Sequence, residues 1–149
     1  MKLHGKAARI AALAVLVTVA TISLVKVSSA TGSIGNITKA DLAGNWLVTL
    51  YGQGGCGVGT SLVTFNLSAS GTGTATNSGH TVGCGDVTTT GNTFTINTLS
   101  SNGSGTAGLT CGTGCGFSFT IQVAADRSTF TLVDITDPNN FLQGTAVHQ

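Results

Sequence analysis

The chain contains four cysteines, and two of them, Cys111 and Cys115, flank a Gly-Thr-Gly spacer. Cysteine pairs serve as metal ligands, as redox-active couples or as disulfides, and their spacing helps to separate these uses. A redox couple is typically C-x-x-C at the start of a helix, whereas C-x-x-x-C in a glycine-rich stretch favours a hairpin turn. An even number of cysteines is typical of exported proteins that form disulfides.

The preferred pairing joins Cys111 to Cys115 and Cys56 to Cys84. With residues 112–114 as a hairpin loop, Cys111 and Cys115 face each other on antiparallel strands, at a Cα separation that suits a disulfide. Cys56 and Cys84 then pair across two other loops. Four cysteines allow three connectivities, so the two crossed alternatives stay open.

A second interpretation of the cysteines is a metal site in the segment that contains His80, Cys84 and Asp86. These side chains could supply part of a tetrahedral zinc site, which a thiolate from another loop would complete. The sequence lacks the paired C-x-x-C ligands of zinc-binding loops, and an oxidising compartment favours disulfides over thiolates. The favoured interpretation leaves His80 solvated and Asp86 in a turn, and it requires no cofactor.

The acidic residues and histidines give no catalytic pattern. The chain has five aspartates and no glutamate, and most of these aspartates fall in or beside predicted turns. Hydrolysis by paired carboxylates would need two of them on facing walls of one site. A Ser-His-Asp triad would need His80 or His148 beside a serine, and no G-x-S-x-G motif occurs. We therefore predict that the protein is not an enzyme.

The first thirty residues differ in composition from the rest of the chain. Lys2, Lys6 and Arg9 precede an apolar run over residues 10–25, and small residues lead up to Ala30. This order is typical of a secretory signal peptide, helical in its apolar part and cleaved after Ala30. The alternative is an uncleaved membrane anchor, because the apolar run is only slightly shorter than a spanning helix. Cleavage predicts a secreted or periplasmic protein with no membrane span.

Beyond the first thirty residues, two basic residues, Lys39 and Arg127, stand against five aspartates, a net charge of −3. Nucleic-acid binding draws its affinity from Lys and Arg, so this count excludes nucleic acid as a partner. It also argues against binding to an anionic membrane surface. The expected division is a signal peptide over 1–30, a polar lead with a short helical turn over 31–43, and one β-barrel domain over 44–149.

Apolar and polar residues alternate in short segments that are separated by turn residues. In the clearest segment, Phe117, Phe119 and Ile121 share one face, while Ser118 and Thr120 share the other. Eight such segments predict an all-β fold: 45–51, 60–67, 71–77, 92–98, 105–111, 115–124, 129–135 and 141–148. Because most connectors are short, neighbouring strands should pair antiparallel in an eight-stranded up-and-down barrel. The main alternative is a two-sheet β-sandwich.

In such a meander, alternate connectors lie at the same end of the barrel. The connectors after the first, third, fifth and seventh strands share one end, and they contain or border all four cysteines. The connector after the third strand of the chain is predicted to be long, and it carries Cys84. The sequence therefore predicts that the disulfides gather at one mouth of the barrel, with Trp46 at the opposite end.

The segment DLAGNWLVTL, residues 41–50, resembles the opening of lipocalins and related calycins. In that family a short helical turn precedes a G-x-W motif on the first strand, and the motif here is Gly44, Asn45 and Trp46. The resemblance implies that Trp46 packs at the closed end of an eight-stranded barrel that often carries a small apolar ligand.

The resemblance has gaps later in the chain. Residues 125–128 replace the threonine, aspartate and tyrosine run of lipocalins, and the late arginine that covers the tryptophan has no counterpart. The meander places Arg127 at the same end as Trp46, so we expect its guanidinium to lie over the indole in a cation-π contact. The C-terminal segment 141–149 is also similar to the last strand of small secreted bacterial β-proteins of no known activity.

The expected function is binding of a small apolar molecule at the disulfide-tied mouth. Five inward residues are expected to line the ligand site: Phe65, Phe94, Leu109, Phe117 and Phe119. An eight-stranded barrel can hold one small ligand, and the loops at its mouth usually carry recognition. The alternative is a ligand-free structural or self-associating protein of the cell surface or envelope, suggested by its threonine-rich, uncharged strands.

Overall fold

The computed structural model describes residues 35–54, 56–112, 115–136, 138–139 and 141–149, with the backbone but not the side chain of Cys115. The expected signal peptide and its helix lie outside the described residues. Among the residues that are described, no helix has the length and apolar character needed to cross a bilayer. A 3₁₀ turn spans Lys39–Leu42. The strands are β1 Gly44–Gly54, β2 Gly57–Leu67, β3 Thr72–Thr81, β4 Gly85–Leu99, β5 Ser104–Cys111, β6 Cys115–Val123, β7 Thr129–Asp134 and β8 Phe141–His148.

The eight strands form a closed barrel. Each strand pairs antiparallel with the next along the chain, and β8 pairs antiparallel with β1. The closing register runs from Trp46 opposite His148 to Gln53 opposite Phe141. Closure gives the backbone groups of both terminal strands a partner, which removes the sheet edges that otherwise promote aggregation. The predicted up-and-down barrel is confirmed, and the sandwich alternative is wrong because it would leave β1 and β8 unpaired.

β3 and β4 extend further than the sequence predicts. The residues expected to form a long connector instead extend both strands. A tight turn at residues 82–84 joins β3 to β4. The added residues are mainly glycine and threonine. They lack the alternating apolar pattern and the aromatic residues that identify a strand in a sequence. Pairing with neighbouring strands therefore decides their conformation.

Large inward side chains fill the half of the barrel near the 3₁₀ turn. The Phe65 and Phe94 rings stack with centroids 4.3 Å apart, and the Phe130 ring lies 6.5 Å and 6.2 Å from them. Phe119 and Ile121 are buried in the same core. This half therefore has the dense packing of an ordinary protein interior.

Trp46 closes this end of the barrel. Its indole Nε1–H donates a hydrogen bond of 2.8 Å to the carbonyl oxygen of Leu42, which is itself fully buried in the 3₁₀ turn. The indole also lies 4.8 Å from the Phe130 ring and stacks on the His148 ring, with centroids 4.7 Å apart and an interplanar angle of 18°. The indole thus joins the turn before β1 to the last residue of β8.

Arg127 lies at the closed end, but its guanidinium has partners other than the indole predicted from the sequence. Its Nε is 3.7 Å from Oδ2 of Asp41, and its Nη2 donates to the carbonyl oxygen of Gly35 at 3.4 Å. The β1–β8 register places His148 opposite Trp46, so the His148 ring occupies a face of the indole. Stacking with His148 and an ion pair with Asp41 therefore replace the expected cation-π contact.

Asp41 holds the 3₁₀ turn in place. Its Oδ2 accepts hydrogen bonds from both the backbone N–H and the Oγ1–H of Thr38, each of 2.8 Å. These bonds, together with the charge of Arg127, hold the pKa of the Asp41 carboxyl below its ordinary value of 3.8. The folded state therefore favours the ionised carboxylate.

Asp41→Asn should destabilise the protein at neutral pH and should cost progressively less as the solution becomes acidic. Because the folded pKa is depressed, the stabilisation is complete above the unfolded pKa and is lost as pH falls through the folded pKa. Urea unfolding of both proteins at about pH 6, 4 and 2.5 measures this difference. Thr38→Val, which removes only the hydroxyl donor, should show part of the same pH dependence. A penalty for Asp41→Asn that is equal at all three pH values would contradict this role.

Candidate ligand-binding site at the barrel mouth

The end of the barrel opposite Trp46 is hollow. A cavity of about 550 Å³ lies there, with Cys56 and Cys111 near its rim and the buried residues Leu50 and Asn92 at its deep end. Small-molecule sites in proteins typically measure about 300–1,000 Å³. The volume therefore suits one small organic molecule.

Glycines at inward positions create this space. The inward series of β1 begins with large residues at the closed end and finishes with Gly52 and Gly54 at the mouth. A Cβ at Gly52 would overlap the carbonyl oxygen of Phe141, because β8 approaches too closely for any side chain. At Gly54 a Cβ would have no heavy atom within 4 Å, so this position borders open space.

The cavity has an apolar wall and a polar wall. The apolar wall comes from β1, β5, β6 and β8 and consists of Leu50, Leu109, Phe117 and Leu142. The polar wall comes from β2, β3 and β4, whose described lining includes Ser61, Asn77, Thr81, Thr89 and Asn92 together with one apolar side chain, Val87. None of the described lining residues is Asp, Glu, Lys, Arg or His. The site is therefore amphipathic but uncharged.

A β-bulge in β4 builds the polar wall. Ala75 lies opposite Asn92, but Asn77 lies opposite Thr89, so β4 has one residue more than β3 in this interval. Gly91, at φ 71°, provides the left-handed conformation within the extra segment. Thr89 and Asn92 both line the cavity as a result, although they lie an odd number of positions, three, apart in the sequence. The Asn92 Nδ2–H donates to Thr89 Oγ1 at 2.9 Å.

Asn77 stands on the same wall without such a partner. Its Oδ1 is buried and has no hydrogen bond, and its carboxamide makes none to any other residue that the structure describes. A buried polar atom without a partner costs about 1–3 kcal/mol of stability. Because nearly all such atoms in native proteins are paired, an exception beside a cavity is a candidate ligand contact.

A disulfide ties the rim of the cavity. Cys56 and Cys84 are bonded, with their Cα atoms 5.5 Å apart, and so link the β1–β2 turn to the β3–β4 turn. This is the pairing favoured from the sequence. Cys111 is disulfide-bonded as well, and the β5–β6 register sets it opposite Cys115. The cysteines thus lie at the end of the barrel where the meander predicts them.

The residues of the predicted metal site do not provide a thiolate. His80 and Asp86 lie on the outer surface with side chains 66% and 94% exposed, and His80 Nδ1 is 2.7 Å from Asp86 Oδ1. The sulfur of Cys84 belongs to the disulfide, so it cannot bind zinc as a thiolate. In the described part of the chain, no three His, Cys, Asp or Glu residues are grouped so as to hold a metal ion. The predicted zinc site is therefore wrong, because its cysteine ligand is oxidised.

Two of the five residues predicted to line the ligand site, Leu109 and Phe117, line the cavity. Phe65, Phe94 and Phe119 do not line it, because they pack in the closed half of the barrel. Alternation places all five on the inner face but does not fix their height along the barrel axis. Height depends on the register between strands and on where the glycines begin.

The polar wall is the part of the site that sequence reasoning missed. Thr81 and Thr89 lie in the segment predicted as a connector, and Ser61, Asn77 and Asn92 stand at or near the ends of predicted strands. A usable signal was the alternation of Asn77, Gly79 and Thr81 with exposed residues, which continues the inward series of Ala75.

No protein-family model matches this chain, and no curated protein matches it. The likeness of Gly44, Asn45 and Trp46 to the lipocalin motif therefore remains a resemblance of a short segment.

Proposed function

We propose that this protein binds a small ligand in the mouth cavity, as a carrier that acts in an extracytoplasmic compartment. The observation that carries this proposal is the contrast between the two halves of the barrel. One half is packed with aromatic rings, whereas the other leaves about 550 Å³ open. A hollow of this size at the mouth of an eight-stranded barrel is large enough to hold one small ligand.

Export from the cytoplasm is supported by two features. The composition of residues 1–30 fits a secretory signal. Disulfides persist in oxidising compartments and are rare in the cytosol, and the structure contains the Cys56–Cys84 bond. A secreted or periplasmic protein is the simplest account of both.

Binding is favoured over catalysis by the chemistry of the cavity wall. General acid and base catalysis usually needs a histidine, carboxylate or amine within hydrogen-bonding reach of the substrate. The described lining offers only amides, hydroxyls, apolar groups and oxidised cysteine. The lipocalin resemblance supports the same proposal, because Trp46 lies at the closed end and the cavity at the other.

Gly54→Leu should weaken ligand binding without unfolding the barrel. The new side chain would begin where a Cβ has no neighbour within 4 Å, and it would fill part of the cavity. We expect binding of the neutral fluorescent probe N-phenyl-1-naphthylamine to weaken at least about tenfold, the loss of roughly 1.4 kcal/mol of binding free energy. Fluorescence titration measures the affinity, and circular dichroism checks the fold.

The matched control is Gly108→Leu, on the outer face of β5. Gly108 lies opposite Thr95 and Ser118, and a Cβ there would have its nearest neighbour at 3.5 Å. Its probe affinity should equal that of the wild type. Native mass spectrometry of protein purified from its own host should also reveal a co-purifying small molecule. Equal probe binding by Gly54→Leu and wild type would refute the cavity as the site.

A second candidate function is self-association through the outer surface. Thr49, Thr145 and Thr131 form one uncharged row across β1, β8 and β7. Tyr51 and Val133, 50% and 55% exposed, lie in the next row toward the mouth. Sedimentation velocity at rising concentration separates the two functions, since a carrier should stay monomeric with its probe bound.

A further inference from the structure

We infer that the ligand is an uncharged amphiphile whose polar head group hydrogen-bonds to the Asn77 carboxamide, while its apolar body lies on the opposite wall. This inference rests on the proposed binding function and specifies the chemistry of its ligand. It differs from the wholly apolar ligand that the lipocalin resemblance implies.

The two asparagines of the polar wall show why Asn77 is the contact. Asn92, only 1% exposed, uses its Nδ2–H to hold Thr89 and serves the structure of the bulge. Asn77 lines the same cavity, but its Oδ1 is buried without a partner. Because Oδ1 is buried in this rotamer, rotation about χ2, a torsion with a broad energy profile, must turn the carboxamide toward the ligand. A bound hydroxyl or amide group would then provide the hydrogen bond that the protein leaves unmade.

Because no described lining residue is charged, the cavity favours an uncharged ligand. Moving a carboxylate or ammonium group from water into a cavity without a counter-charge is far more costly than moving a hydroxyl that finds a hydrogen-bond partner. The lining offers Asn77, Ser61 and Thr81 to a polar group, but no Lys, Arg, His, Asp or Glu. A neutral polar head therefore fits this wall better than an anion or a cation.

The opposite wall favours a ligand whose body is apolar. Leu50, Leu109, Phe117 and Leu142 provide a surface that only apolar atoms can cover favourably. The polar residues come from β2–β4, which add one apolar side chain, Val87, and these four come from β1, β5, β6 and β8. The two kinds of surface therefore lie mainly in different sectors of the barrel. A molecule with one polar end and one apolar body matches both sectors at once.

The test compares three probes that share a naphthalene body: 2-naphthol, 2-methylnaphthalene and 2-naphthoate. Hydroxyl and methyl groups have nearly the same size, so the first two differ mainly in hydrogen bonding. Each probe is titrated into isotope-labelled wild type, Asn77→Leu and the control Asn97→Leu, whose exposed side chain lies outside the cavity. Amide chemical shifts report both the affinity and the place of binding.

Asn77→Leu should weaken 2-naphthol binding about five- to tenfold, the effect of one lost hydrogen bond, and should leave 2-methylnaphthalene binding unchanged or tighter. It should not lower the melting temperature, because the wild-type side chain makes no hydrogen bond to a described residue. Asn97→Leu should change none of the affinities. The wild type should bind 2-naphthoate at least about tenfold more weakly than 2-naphthol.

Equal effects of Asn77→Leu on 2-naphthol and 2-methylnaphthalene would overturn the role of Asn77 and leave the carrier function standing. Binding of 2-naphthoate as tight as that of 2-naphthol would overturn the inference that the ligand is uncharged. If no probe shifts the amides of the cavity wall and N-phenyl-1-naphthylamine also fails to bind, both the inference and the proposed function are wrong.

Discussion

Replacing Trp46 with alanine should lower the free energy of unfolding by about 3–5 kcal/mol, the usual range for removing a large aromatic side chain from a core. The indole is 1% exposed and contacts the Phe130 and His148 rings. Its loss would also leave the carbonyl oxygen of Leu42 without the donor that it has now. Because small proteins are stable by only about 5–15 kcal/mol, the variant should be close to unfolding at room temperature. Equilibrium urea denaturation measures the difference.

Two further variants divide the effect of Trp46→Ala into its parts. Trp46→Phe keeps a ring in the core but removes the Nε1–H bond to Leu42, and it should cost about 1–3 kcal/mol. Tyr51→Ala removes an aromatic ring from the outer face of the same strand, where half of the side chain is exposed, and should cost less than about 1 kcal/mol. If Trp46→Ala cost no more than Tyr51→Ala, the closed end would not be a centre of stability.

The architecture could be predicted from the sequence because the alternation of apolar and polar residues and the short connectors are both local features. In β6, Phe119 and Ile121 alternate with exposed residues, and the short turn regions leave antiparallel pairing as the simple solution. The order of connectors then fixes which loops share an end. This is enough to bring Cys56 and Cys84 to one rim, where the structure joins them.

The site could be predicted only in part, since its walls depend on register. The bulge at Gly91 changes which residues of β4 face inward, and no local pattern announces it. The open space at the mouth depends on inward glycines such as Gly54, where a Cβ would have no heavy atom within 4 Å, and on the distance of the neighbouring strands from it. A sequence read strand by strand contains neither of these long-range relations, so it identified the apolar wall residues Leu109 and Phe117 but not Asn77.

Removing the Cys56–Cys84 disulfide with Cys56→Ala and Cys84→Ala together should lower the free energy of unfolding by about 3.5 kcal/mol. The bond closes a loop with a sequence separation of 28 residues, and closing such a loop restricts the unfolded chain by roughly this amount. The melting temperature should fall by about 10–20 °C in a protein of this size. Differential scanning calorimetry measures it, and a melting temperature within about 2 °C of the wild type would show that the bond stabilises little.

The same double variant tests whether the disulfide maintains the shape of the cavity as well as the stability of the fold. The disulfide links the β1–β2 and β3–β4 turns, and one of its residues, Cys56, lines the cavity. Without the bond, these turns can move apart, and part of the binding free energy must then order them again. Affinity for N-phenyl-1-naphthylamine, measured well below the melting temperature of the variant, should therefore weaken several-fold even though the barrel stays folded. Unchanged affinity together with a lowered melting temperature would mean that the strands hold the cavity open by themselves and that the disulfide serves stability alone.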